Sequence, residues 1–237
     1  QRPQKKTNMN GDIMQNSDID IVMEQLKEHF HSVKTPVVDL IKIKTDDPFK
    51  VLVATILSAR TKDETTAKVA EKLFQKVNKA EDFDKLTYEE LDKIITPVGF
   101  HRVKAKHLKQ LPKVLKEKFN GKIPEEIDEL MVIPGVGRKT ANLVRAVAFQ
   151  KPAVCVDVHV HRICNRWGYV KTKTPFETEM ALREKLPDKY WLNFNSYVVA
   201  FGQNLCTPRR PQCERCSIIE FCEWGKEHSP IIQKENK

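Results

Sequence analysis

The stretch Leu130-Met-Val-Ile-Pro-Gly-Val-Gly-Arg-Lys-Thr-Ala141 decides the reading of this chain. Apolar spacing from Glu125 to Met131 predicts a short helix that ends at about Met131. Pro134 and Gly135 form a turn, and Gly137 leaves room for a close backbone approach. A new helix is expected from Arg138 to Phe149. A tight turn into a helix leaves N–H groups unpaired at the helix N-terminus, and these suit an anion. A DNA phosphate fits there without base-specific contact. Val136, flanked by the two glycines, is expected to pack inward between the helices. An ordinary helix connection with glycines for geometry is the plainer alternative.

Lys139 falls in the first turn of the helix after the hairpin. The positive end of the helix dipole and the neighbouring Arg138 both disfavour an ammonium there and favour the free amine. A free amine is a nucleophile that forms a Schiff base with a sugar aldehyde carbon. On local sequence alone, a solvent lysine or a phosphate contact is the simpler reading. Asp157 closes the apolar run Ala153-Val-Cys-Val156 and opens a helix carrying His159 and His161. It is expected to be a helix N-cap. The same carboxylate also suits a charged catalytic role, and capping would fix its geometry.

Cys206, Cys213, Cys216 and Cys222 have the spacing C-x6-C-x2-C-x5-C. Structural zinc usually uses paired C-x2-C knuckles or histidines, and here there is a single knuckle. Four thiolates also suit a [4Fe–4S] cluster, and spacing alone leaves the two open. Arg209 and Arg210 lie between the first two cysteines, where a pinned loop would hold them stiffly toward phosphates. Cys155 and Cys164 read as small buried residues.

Working outward, nearly all of the 237 residues read as helix. Helices are expected at Ser17–Val33, Pro48–Leu57, Asp63–Val77, Thr87–Ile95 and Arg102–Phe119, the last kinked at Pro112. Others are expected at Val158–Trp167, Pro175–Leu186 and Tyr190–Leu205. Thr35–Thr45 reads as a linker, and Pro152–Val156 as extended chain. Asp47-Pro48 marks a clean helix start, and the body from Phe49 to Leu57 reads as the buried core helix. The net charge is +9, compatible with a polyanionic partner. Between His101 and Lys118 stand six Lys and one Arg against one Glu, expected as a positive solvent face. No apolar run is long enough for a bilayer span, and no secretion signal is seen, so disulfides are not expected.

Together these residues resemble the endonuclease III family of DNA glycosylases. The match runs from about Pro48 to Cys222. It rests on Leu57-Ser-Ala-Arg60 with Asp63, Leu130–Asn142, Val156-Asp-Val-His-Val-His-Arg162 and the four cysteines. The resemblance implies an all-α, two-lobed helix-hairpin-helix fold with a C-terminal [4Fe–4S] cluster loop. The implied layout is a tail at 1–16, an N-terminal helix and linker at 17–45 packing on the cluster lobe, and a six-helix domain at 46–150. That domain holds the hairpin at 124–149. The cluster lobe is expected at 151–225 and a second tail at 226–237.

It also implies a bifunctional glycosylase and abasic-site lyase, acting as an intracellular monomer on damaged double-stranded DNA bound across the cleft between the lobes. Lys139 matches the family's catalytic lysine and Asp157 its catalytic aspartate. Gly135, Val136, Gly137, Arg209 and Arg210 are the implied phosphate contacts, and the four cysteines the cluster ligands. Arg60 stands where the family usually has Gln to fill the gap left by the extruded nucleotide. Phe100 stands where Leu often wedges the opposite strand. The rival readings are a uracil or thymine mismatch glycosylase with weak lyase action, a non-catalytic DNA-binding module and a zinc-stapled helical protein.

Overall fold

A computed structural model describes residues 14–29, 41–42 and 44–228 of the chain. Among these residues the regular structure is helical throughout. In chain order the α-helices are α1 (Asn16–His29), α2 (Pro48–Ser58), α3 (Asp63–Phe74), α4 (Tyr88–Ile95), α5 (His101–Phe119) and α6 (Ile127–Leu130). Then follow α7 (Arg138–Phe149), α8 (Val158–Trp167), α9 (Pro175–Lys185), α10 (Trp191–Asn204) and α11 (Glu223–His228). The chain divides into two compact units, one built from residues 34–153 and the other from 1–33 and 154–237.

The 34–153 unit is organised on α2. Asp47 accepts from the Phe49 N–H at 2.9 Å, and Pro48 occupies the first turn, where its missing N–H costs nothing. Every residue from Val51 to Leu57 is buried. An all-round apolar helix must be enclosed, and it is, by Leu73, Phe83, Leu91, Leu108 and Val144 from the surrounding elements. Helix α4 starts with a reciprocal cap, the Thr87 hydroxyl accepting from the Glu90 N–H and the Glu90 carboxylate from the Thr87 N–H.

In the other unit, α1 lays Ile19, Val22, Met23 and Leu26 against a core containing Val160, Trp167, Phe194 and Phe201. The Tyr169 hydroxyl donates to Asn16 at 2.7 Å, and Lys185 donates to the Met14 carbonyl at 2.9 Å.

Several boundaries differ from the sequence reading. The expected end of the first helix at Val33 and most of the expected linker lie outside the described residues. Ile41, Lys42, Lys44 and Thr45 are helical, with the Thr45 hydroxyl donating to the Ile41 carbonyl at 2.8 Å. Helix α3 stops at Phe74, and a 3₁₀ segment at Ala80–Lys85 was not anticipated. Helix α5, by contrast, carries Pro112 inside its span as the sequence reading placed it. Met14 is buried, and α11 continues to His228, past the residue where a tail was expected. No helix among the described residues is long and apolar enough to cross a membrane.

The expected positive solvent face of α5 is only partly one. Lys109 donates to the Phe83 and Leu86 carbonyls, each at 2.7 Å, and Lys104 is buried.

Candidate functional site

The hairpin between α6 and α7 has the geometry expected of it. Ile133 and Val136 are buried in the core of their unit, and the Val136 N–H closes the turn on the Ile133 carbonyl at 3.0 Å. Gly135 has φ +82, and a Cβ there would lie 2.6 Å from Nδ1 of His107, so only glycine fits. Gly137 is the residue before α7, in extended conformation with no side-chain cap. A Cβ at Gly137 would meet nothing within 4 Å. The protein itself therefore leaves the space beside the Gly137 α-carbon open. Lys139, the second residue of α7, is exposed, while Asn142 one turn on is buried and donates to the Arg138 carbonyl at 3.1 Å.

Asp157 is half-buried and caps α8. One carboxylate oxygen accepts from the His159 N–H at 2.9 Å and the Val160 N–H at 3.0 Å. Two amide donors on one oxygen hold the carboxylate at the start of α8.

Arg60 and Phe100 are exposed and come together within the 34–153 unit. Both have left-handed backbones, φ 54 and φ 57. Such conformations are costly for residues with a Cβ and persist where the surrounding structure enforces them. Here the Gly99 N–H donates to the Thr61 hydroxyl at 3.0 Å, which joins the loop carrying Arg60 to the loop carrying Phe100.

The four C-terminal cysteines line one cavity, with Trp167, Phe201 and Trp224 among its apolar walls. Among the described residues no three His, Cys, Asp or Glu side chains converge tightly enough to hold a single ion. The thiols surround a space instead, which suits a multi-atom group. Burial pushes the Cys216 thiol up to about 11 and the Cys222 thiol up to about 12. Thiolates there need a compensating positive centre and N–H donors, and two donors are in place. Arg166 Nη1 donates to Cys206 Sγ at 3.2 Å, and the Gly225 N–H donates to Cys222 Sγ at 3.3 Å. Arg166 also donates to the Thr207 and Pro208 carbonyls at 2.9 and 2.8 Å and lies 4.8 Å from the Trp224 ring centre. It thereby ties down the loop on which Arg209 and Arg210 stand exposed. Cys155 and Cys164 are buried, as expected.

Sequence reasoning missed Lys104, His107 and Arg166. Each acts through groups far away in the chain, so no local pattern announces it.

A model of the HhH-GPD superfamily of base excision DNA repair proteins matches residues 53–188, and one of the iron-sulfur binding domain of endonuclease III matches 206–222. Endonuclease III of Thermotoga maritima is 46% identical over 181 residues, covering 76% of this chain and 85% of that protein. A trapped endonuclease III–DNA covalent intermediate is similar with a TM-score of 0.76 at 32% identity, covering 90% of this chain and 98% of that one. A thermostable thymine-DNA glycosylase also gives 0.76, at 26% identity and with the same coverage of each chain.

Proposed function

This chain belongs to the endonuclease III family of HhH-GPD base-excision DNA repair proteins, and from that premise we propose how its own residues carry out the chemistry. It is a DNA glycosylase with abasic-site lyase activity that acts on damaged bases in DNA. Its preferred substrates are oxidised pyrimidines in duplex DNA. The observation that carries the reading is the exposed residue Lys139 in the first turn of α7, directly after a hairpin turn that leaves open space at Gly137.

The damaged nucleotide is first extruded, at an unstacking cost of a few kcal/mol that is least for damaged bases. Arg60 and Phe100 occupy the vacated stack, while the hairpin amides of Gly135 and Gly137 and the side chains of Arg209 and Arg210 hold phosphates; the Val136 N–H is bonded to the Ile133 carbonyl, so Val136 shapes the turn instead. Lys139 loses a proton to water, with Asp157 assisting that deprotonation or stabilising positive charge developing on the sugar, and its lone pair bonds to C1′ as the bond from C1′ to the base breaks. The base leaves with that electron pair and takes up a proton. Ring opening converts the adduct into a Schiff base. Loss of a C2′ proton then expels the phosphate oxygen from C3′, cutting the strand 3′ to the site. Water finally hydrolyses the Schiff base and restores the amine.

Cys206, Cys213, Cys216 and Cys222 would hold a [4Fe–4S] cluster. The four thiols around one cavity and the N–H donors on Cys206 and Cys222 support that assignment. Such a cluster cross-links the loop and supplies no step of base release.

Borohydride reduction tests the reading. It should link the protein covalently to abasic-site DNA, and Lys139→Ala should abolish the adduct. An undiminished adduct in that variant removes Lys139 from the nucleophile's role. The likeness to a thymine-DNA glycosylase favours mismatch repair as a second reading. A panel of duplexes carrying oxidised pyrimidines or G·T and G·U mismatches separates the two.

A further inference from the structure

Lys104 sits within a run of cations, yet it is 6% exposed. Its ammonium donates to the Leu57 carbonyl at 2.8 Å and the Ala59 carbonyl at 2.7 Å, with the Thr61 hydroxyl at 3.4 Å. The carbonyls at a helix C-terminus carry partial negative charge and lack partners, so a cation is favoured there. Thr61 in turn accepts from the Gly99 N–H at 3.0 Å. A Cβ at Gly99 would lie 2.6 Å from the Arg60 carbonyl oxygen, so the two loops touch backbone to backbone. One side of this junction carries Arg60 and the other carries Phe100.

The same helix reaches the hairpin. His107 stands one turn after Lys104, and its ring packs where a side chain on Gly135 would be. A cavity of about 270 Å³ opens beside the ammonium, walled by Arg60, Phe100, Val103, His107 and Gly135. Helix α5 is thus a common mount for the Arg60 and Phe100 tips and for the turn that precedes Lys139.

Resting on the reading that Arg60 and Phe100 fill the vacated stack, we propose that Lys104 is a positioning residue that sets their spacing and so governs how efficiently duplex DNA is processed. A merely structural contact would be served by a neutral group without the cost of burying charge. The three acceptors instead bracket the residue whose side chain must enter the duplex. A single-stranded abasic site needs no stack filled, so its reaction with Lys139 does not depend on that spacing.

The test compares Lys104→Met, Lys104→Arg and Thr61→Val with the unchanged protein. One readout is excision from a duplex carrying an oxidised pyrimidine, and the other is borohydride trapping on single-stranded abasic DNA. For Lys104→Met the ratio of duplex to single-strand rate should fall about tenfold or more, because small misplacements of positioning groups are costly. Lys104→Arg, which can reach the same carbonyls, should recover most of the ratio. Thr61→Val removes only the hydroxyl bridge and should lower the ratio in the same sense, which keeps the proposal testable if Lys104→Met fails to fold. An unchanged ratio, or parallel loss of both reactions, overturns the proposal. Absence of duplex excision in the unchanged protein would instead overturn the functional reading beneath it.

Discussion

The Arg60 guanidinium carbon stands 5.3 Å from the centre of the Phe100 ring, with both residues in left-handed backbone conformation. A cation over an exposed aromatic face contributes about 0.5–1 kcal/mol. The two side chains therefore act as a pair before any DNA arrives, and their backbones are already held in the conformation that makes them project.

The pair should divide its labour by chemistry. Phe100→Leu keeps an apolar wedge and should retain most duplex excision, while Phe100→Ala should lower it by about tenfold or more, since a wedge contributes through unstacking energy of a few kcal/mol. Arg60→Ala should chiefly flatten the dependence on the base opposite the lesion, because a guanidinium fills and hydrogen-bonds where a methyl group cannot. Single-turnover rates against the four opposite bases measure both. Equal discrimination in Arg60→Ala would remove Arg60 from base reading.

Asp157 can be dissected because its two roles need different atoms. Asn is as good an N-cap as Asp, so Asp157→Asn should melt close to the unchanged protein. It lacks the negative charge and the basic oxygen, and excision should fall by about 10²-fold or more. Asp157→Ala loses the cap as well and should cost an additional ~1 kcal/mol of stability. Thermal melts beside single-turnover rates decide it; matched activity in Asp157→Asn would leave the carboxylate a cap alone.

Arg166 should protect the thiol-bound group. Arg166→Met removes the N–H donor to Cys206 and both carbonyl contacts while keeping an apolar side chain. Outer partners of metal ligands typically govern affinity by about 10- to 100-fold, so loss of iron to a chelator should accelerate on that scale. The decay of visible absorbance follows this directly, and an unaltered decay would assign Arg166 to loop packing alone. Purified protein should contain iron and acid-labile sulfide in equal amounts.

Lys104 predicts a pH effect with opposite signs in stability and activity. Burial pushes its ammonium down to about 8. The folded chain binds this proton less tightly than the unfolded chain, so this group stabilises the fold increasingly as pH rises from about 8 toward the ordinary lysine range. The neutral amine keeps two N–H donors for three acceptors, so the loops loosen over the same interval. Arg60 and His107 are the other charged or titratable groups on that cavity. The ratio of duplex to single-strand reaction should therefore drop with a midpoint near pH 8, and the drop should vanish in Lys104→Arg, whose guanidinium stays protonated. Persistence of the step in that variant would assign it to another group.

What could be read from sequence was what short spacing controls. Gly135 announced the hairpin because a left-handed and crowded backbone position selects for residue type. Asp47 and Asp157 announced helix starts because an N-cap bonds two or three residues ahead. Lys104 was misread as part of a solvated face. Its acceptors lie 43 to 47 residues earlier in the chain, and nothing around Lys104 distinguishes it from its neighbours. Arg166 was missed for the same reason, with partners 40 to 42 residues later. The irregular starts and stops near residues 75–86 were also illegible, because 3₁₀ turns carry no strong periodicity.

The discontinuous unit has a consequence for biosynthesis. The ribosome releases α1 early, but Phe194 and Phe201, against which it packs, emerge much later. The intervening 34–153 segment has all of its own core by then and can close first. Until α10 emerges, Ile19, Val22 and Leu26 are a greasy strip awaiting its mate, which makes nascent chains stalled in that interval natural clients for chaperones. Cys222 is the last of the four thiols to be made, so cofactor loading must wait for the whole 206–222 loop to emerge.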